Sequence, residues 1–134
     1  MISILSWPAW ARRVPAALYT IALFYGGCAD IGLPTMPEVP FDKITHFGAF
    51  LGLEWLLELA LAEAAAAPRR RAAVTMSAGA GGLLELAQAA LPYRSAEWLD
   101  LLADSLGALA GAWLLMLLVR WRTPGAAEAS RELP

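Results

Sequence analysis

Long apolar stretches alternate with short polar breaks along the chain, and this alternation predicts its elements. Four apolar runs cover about 14–33, 41–67, 72–91 and 98–119. Each is long enough to cross ~30 Å of hydrocarbon as a helix rising ~1.5 Å per residue. Turn chemistry separates them: Pro34, Pro37 and Pro40 after the first run, Pro68 with Arg69, Arg70 and Arg71 after the second, and Pro92 with Tyr93 and Arg94 after the third. Connections this short set neighbouring helices antiparallel. The pattern therefore predicts an all-α, polytopic membrane protein, an antiparallel bundle of four transmembrane helices within residues 1–122. Residues 123–134 mix Pro124, Gly125 and alanines with charges and are expected to form a disordered cytoplasmic tail.

Composition points the same way. Of the 134 residues 59% are hydrophobic and 16% charged, with a mean hydropathy of +0.54, whereas soluble domains carry about 25% charged residues. Four spans consume most of the chain, so function must sit in the helices or their loops. A net charge of -2 and scattered arginines exclude a nucleic-acid partner, because no basic stripe is available to neutralise phosphates. The single cysteine, Cys28, has no intrachain thiol partner. Its position after Gly26 and Gly27 has some likeness to a lipoprotein signal, but Tyr25 stands where a small aliphatic residue is needed, and apolar character resumes at Ile31.

Arginine placement predicts orientation. Arg12 and Arg13 lead into the first run, Arg69 to Arg71 separate the second and third, and Arg120 and Arg122 follow the fourth. The positive-inside rule then puts both termini on the cytoplasmic side of a bacterial inner membrane. Trp7, Trp10, Trp98 and Trp121 fall where indole rings favour the interface.

Ionisable residues inside the spans are expensive in hydrocarbon and normally mark a function or a polar pairing. The second run carries Asp42, Lys43, His46, Glu54 and Glu58, the third Glu85 and Gln88, the fourth Asp100 and Asp104. Measured by helical rise from the extracytoplasmic ends, His46 lies ~6 Å deep, Glu85 ~9 Å and Asp104 ~10 Å. Antiparallel packing would bring Lys43, His46, Glu85, Gln88, Asp100 and Asp104 to one level, with Arg94 above them, and Asp42 is a further ligand-binding candidate. Gly107 and Gly111 form a small-xxx-small helix-packing stripe below Asp104, and Gly48 with Gly52 form another candidate contact. Glu54, ~18 Å along its helix, is expected to be protonated or paired, while Glu58 and Glu63 can reach the nearby arginines. The plainer reading of the upper cluster is that Lys43 and Arg94 pair with the acids and only hold the bundle together.

The stretch from Asp42 through Lys43, His46 and Phe47 to Phe50 resembles the Asp-Lys-x-x-His-Phe-x-x-Phe signature of VanZ-like proteins. Glu85 with Gln88, Pro92 with Arg94, and Asp100, Asp104, Gly107 and Gly111 are similar to that family's later series, in the same order and spacing. Tyr93, Asp104 and Glu54 depart from the family pattern. The resemblance implies a small multi-helix membrane protein, in a family whose name member is associated with resistance to teicoplanin-type lipoglycopeptides.

Three functional classes follow. The first is a non-enzymatic protein binding a membrane lipid or lipid-linked cell-wall precursor at the outer leaflet, with Lys43, His46 and Arg94 holding a phosphate and Glu85, Gln88, Asp100 and Asp104 positioning them or binding sugar hydroxyls. The second is a membrane enzyme modifying such a lipid with His46 or Glu85 as acid or base. The third is a homodimeric flippase or transporter using Glu54 and Glu58 to extend the polar face. No cofactor is expected; a metal held by His46 with Glu85, Asp100 and Asp104 is chemically possible, but Lys43 and Arg94 close by would repel it, so none is expected.

Overall fold

The computed structural model describes residues 6–30 and 41–122. Among them are four α-helices and no strand: α1 Ala9–Cys28, α2 Phe41–Ala60, α3 Ala66–Ala89 and α4 Trp98–Arg122. Pro34, Pro37, Pro40 and the expected tail at 123–134 lie outside the described residues.

The starts of α2 and α4 fall where the apolar pattern places them, and most other bounds move for physical reasons. The alanine-rich stretch 62–67 does not continue α2. Pro68 cannot sit deep in a helix but is tolerated in a first turn, where its missing N–H has no intrahelical partner. The chain accordingly turns after α2, extends at Ala65 (ψ 150°) and restarts at Ala66. This draws Arg69 to Arg71 out of the expected loop and into α3. The α1 helix starts five residues earlier than expected, with Pro8 at its N-cap, so Arg12 and Arg13 belong to it. It ends at Cys28, and Ala29 is extended.

The helices pack with their ends alternating. At one end Arg12 of α1 pairs with Glu63 of the α2–α3 turn at 2.5 Å, and Arg69 and Arg70 each donate to the buried Glu58 carboxylate at 3.0 Å. The Glu63 carboxyl is held below the usual carboxylate range by its own backbone amide, with the Arg12 and Arg13 guanidiniums adding to the effect. At the other end α1 finishes against the C-terminal turn of α3 and the loop that follows it.

The interior is unusually polar. Phe50, Leu53, Leu57, Ala16, Ala60, Ala73 and Leu84 form one apolar cluster. Yet the largest fully buried side chains are Phe50, Leu53, Glu54, Asp104 and Ser77. Large apolar side chains face outward on every helix, including Trp10, Tyr25, Ile44, Leu86, Leu109 and Trp113. Among the described residues one helical segment, Trp98–Trp121, with a mean hydropathy of 1.9, is long and apolar enough to cross a membrane by length and composition. Asp42, Lys43, Glu54 and Glu58 interrupt the apolar character of α2.

The α2–α4 seam sets the geometry of the polar end. A Cβ on Gly107 would overlap the Phe47 carbonyl oxygen of α2, and one on Gly111 would come 3.0 Å from the Leu51 carbonyl. Trp55 Nε1 donates to the Gly111 carbonyl at 2.8 Å, tying the same helices together. Gly52 faces the Tyr19 hydroxyl of α1, whereas a Cβ on Gly48 would meet nothing within 4 Å, so Gly48 makes no such helix contact.

Candidate functional site

Lys43, one residue after the first-turn Asp42, reaches α4. Its Nζ lies 2.5 Å from both Glu97 Oε2 and the buried Asp100 Oδ1, and 3.7 Å from Asp42 Oδ2. Asp42 and Asp100 both occupy first turns, where the helix dipole favours a carboxylate. One turn deeper, His46 Nδ1 lies 2.8 Å from Oδ1 of the fully buried Asp104, while its Nε2 is 3.9 Å from Asp42. The His46 ring stacks on Phe50 with an interplanar angle of 9°, which fixes its plane. Asp104 has room because α3 carries Gly81 opposite it: a Cβ there would come 2.6 Å from Asp104 Oδ2.

Glu85 of α3 accepts the Glu97 backbone N–H through Oε2 at 2.8 Å and so fixes the start of α4. Its Oε1, like Asp104 Oδ2, is buried and has no hydrogen-bond partner. Gln88 and Arg94 do something their sequence positions do not announce. A helix leaves its last carbonyls without intrahelical donors, and those at the end of α1 are capped from α3 and the following loop. Gln88 Nε2 donates to Gly27 O at 3.0 Å, the Tyr93 hydroxyl to Cys28 O at 3.1 Å, and Arg94 Nη2 to Ala29 O at 2.9 Å.

The eight candidate residues thus gather at one end of the bundle, but in two roles. Asp42, Lys43, His46, Glu85, Asp100 and Asp104 make a charged layer between α2, α3 and α4. Gln88 and Arg94 join α1 to that layer. Glu97 and Tyr93 belong to the site and were not among the sequence candidates. The spacing of Glu97 three residues before Asp100 was the available signal for the first; nothing in the sequence signals the Tyr93 cap. Glu54 sits below, fully buried beside Gly111, and neither of its carboxylate oxygens has a hydrogen-bond partner.

Two clefts open on this end. The smaller, about 140 Å³, is polar and is walled by Asp42, His46, Tyr93, Arg94, Glu97 and Asp100, with Gln88 and Ser95. The larger, about 270 Å³, runs between α1, α2 and α3 over Ala22, Leu23, Ala49, Phe50 and Leu84. Asp42, His46, Gln88 and Arg94 line both.

A model of the VanZ/LLP1 family matches residues 6–119, which takes in α1, α2, α3, all but the last turn of α4 and every residue of this site. The chain belongs to the VanZ/LLP1 family. Within this VanZ/LLP1 chain the match extends to α1, which the sequence motifs alone do not reach. Comparison with curated proteins and with solved structures gives no match.

Proposed function

We propose that this VanZ/LLP1 protein is a four-span protein of the bacterial cytoplasmic membrane, with both termini inside, whose extracytoplasmic end binds one amphiphile, a membrane lipid or lipid-linked envelope precursor. The observation that carries the reading is the pairing of a polar cleft with an apolar one across Asp42, His46, Gln88 and Arg94. A headgroup suits the first and a hydrocarbon chain the second. Arg94 spends one N–H on Ala29 and retains guanidinium donors for a phosphate. Asp42 and Ser95 suit hydroxyls. Lys43, held between Glu97 and Asp100, serves the scaffold rather than the anion.

Membrane placement is supported by the apolar side chains turned outward on all four helices, an exposure uncommon in soluble monomers, and by the arginines at the end opposite the clefts. The family likeness extends the reading to glycopeptide susceptibility, since holding an envelope lipid would alter what teicoplanin meets.

Native mass spectrometry of the detergent-purified chain with added phosphatidylglycerol tests the reading. Gly26→Leu fills the larger cleft, where a Cβ meets nothing within 4 Å, and should abolish retention. Arg94→Ala should weaken it roughly 10–100-fold, the worth of a charge-assisted hydrogen bond. Glu63→Gln, at the opposite end of the bundle, should leave retention in place. Equal retention by wild type, Gly26→Leu and Arg94→Ala would contradict the proposal. A second reading, acid–base chemistry on the bound lipid, is favoured by the His46–Asp104 pair at the cleft wall. It requires a modified lipid product that disappears in His46→Gln.

A further inference from the structure

The charged layer holds more negative charge than its cations neutralise. Asp42, Glu85, Glu97, Asp100 and Asp104 face Lys43 and Arg94, and the two cations are engaged: Lys43 with Glu97 and Asp100, Arg94 with the Ala29 carbonyl. Lys43 and Arg94 would repel a metal by standing over the acids, but neither pairs with Glu85 or Asp104. These two carboxylates are also the buried pair, at 7% and 0% exposure, and each keeps one oxygen with no hydrogen-bond partner. Glu85 lies one turn from the C-terminus of α3, where the helix dipole disfavours negative charge. His46 is the group between them, and donor atoms of His46, Glu85 and Asp104 all lie within 4.8 Å of one another.

From this arrangement we infer that His46, Glu85 and Asp104 form a binding site for one divalent first-row metal ion of the Zn²⁺ or Mn²⁺ type. One imidazole and two carboxylates suit such ions, and two carboxylates match the charge. The three ligands come from α2, α3 and α4, so the ion would join all three helices. A second donor group, Asp42, His46 and Asp100, is less suited, because Asp42 is exposed and Asp100 is already held by Lys43. The ligand His46 also lines both clefts, placing the ion at their wall. The inference stands apart from lipid binding and is measured without lipid.

The test uses the full, untagged chain in detergent, stripped with chelator and titrated calorimetrically with ZnCl₂ or MnCl₂. One equivalent should bind, and Asp104→Asn or Glu85→Gln should weaken it by about 10–100-fold, while Glu63→Gln, at the opposite end of the bundle, binds as wild type. X-ray absorption of the Zn²⁺-loaded wild type gives an answer that no variant's folding can obscure. A nitrogen and oxygen shell with one imidazole is expected, and a sulfur ligand, which would implicate Cys28, overturns the site. Absence of saturable binding to wild type overturns it too, as does binding lost in Asp42→Asn but kept in Asp104→Asn. An infrared carboxylic-acid band in metal-treated wild type that vanishes in Glu85→Gln would show a proton in the ion's place.

Discussion

Replacing Gly107 with Ala is the sharpest perturbation of the seam that assembles the site. The added Cβ would overlap the Phe47 carbonyl oxygen and come within about 3.1 Å of Phe47 Cα. The obstacle is backbone, which has no rotamer by which to retreat, so α2 and α4 must separate. Overpacking of this kind costs about 1–3 kcal/mol. Ala also gains up to about 1 kcal/mol of helix propensity over Gly, which would mask part of the effect. Gly48→Ala supplies the correction: the same substitution in α2, with nothing within 4 Å of its Cβ, carries the propensity gain alone. The difference between the two variants isolates the clash. At roughly 4 °C per kcal/mol for a chain of this size, Gly107→Ala should melt about 4–12 °C below Gly48→Ala in detergent, followed by circular dichroism. Gly107 also lies one turn from Asp104, so the His46–Asp104 pair should loosen and the His46 ring resonances broaden. Equal melting of the two variants would refute the close α2–α4 approach.

Other perturbations probe other parts of the bundle. Glu54→Leu removes a buried carboxyl with no hydrogen-bond partner and should stabilise the fold by about 1–3 kcal/mol; a drop in melting temperature would mean that Glu54 has a partner in the folded protein. Lys43→Met strips the cation from the buried Asp100 and should destabilise, by less than the ~3–5 kcal/mol of a fully buried pair because Lys43 keeps 27% exposure; Lys43→Met with Asp100→Leu should recover much of the loss. Glu63 contributes stability above the ordinary carboxylate pKa that is lost as pH falls through its lowered folded value; Glu63→Gln should flatten that part of an acid melting curve. In a host lacking the protein, wild type at matched abundance should lower teicoplanin susceptibility more than Arg94→Ala does, and identical susceptibilities would separate the clefts from any glycopeptide effect.

The four helices and the gathering of Asp42, Lys43, His46, Glu85, Asp100 and Asp104 were legible because helical rise and antiparallel packing fix depth, and depth fixes which groups meet. Partner choice was not legible. Lys43 selects Glu97 and Asp100 over Glu85, a matter of a few ångströms in helix rotation that spacing does not encode. Gln88 and Arg94 read as ligand groups in a motif, but they also cap α1, whose own sequence is merely apolar there. The end of α2 was misplaced because alanine propensity says continue, while Pro68 a few residues on forces a new helix to begin.

Photo-cross-linking shows whether the larger cleft holds a lipid chain in the cell. Cells expressing the protein are fed a photoactivatable, clickable fatty acid, irradiated, and the purified chain is digested and mapped. A lipid chain held in the larger cleft predicts cross-links on Ala22, Leu23 and Ala49 that are lost in Gly26→Leu, while labelling of bilayer-facing residues such as Leu109 and Trp113 is unchanged by that substitution. Cross-links spread evenly over the outer faces, with the cleft unlabelled or insensitive to Gly26→Leu, would contradict it.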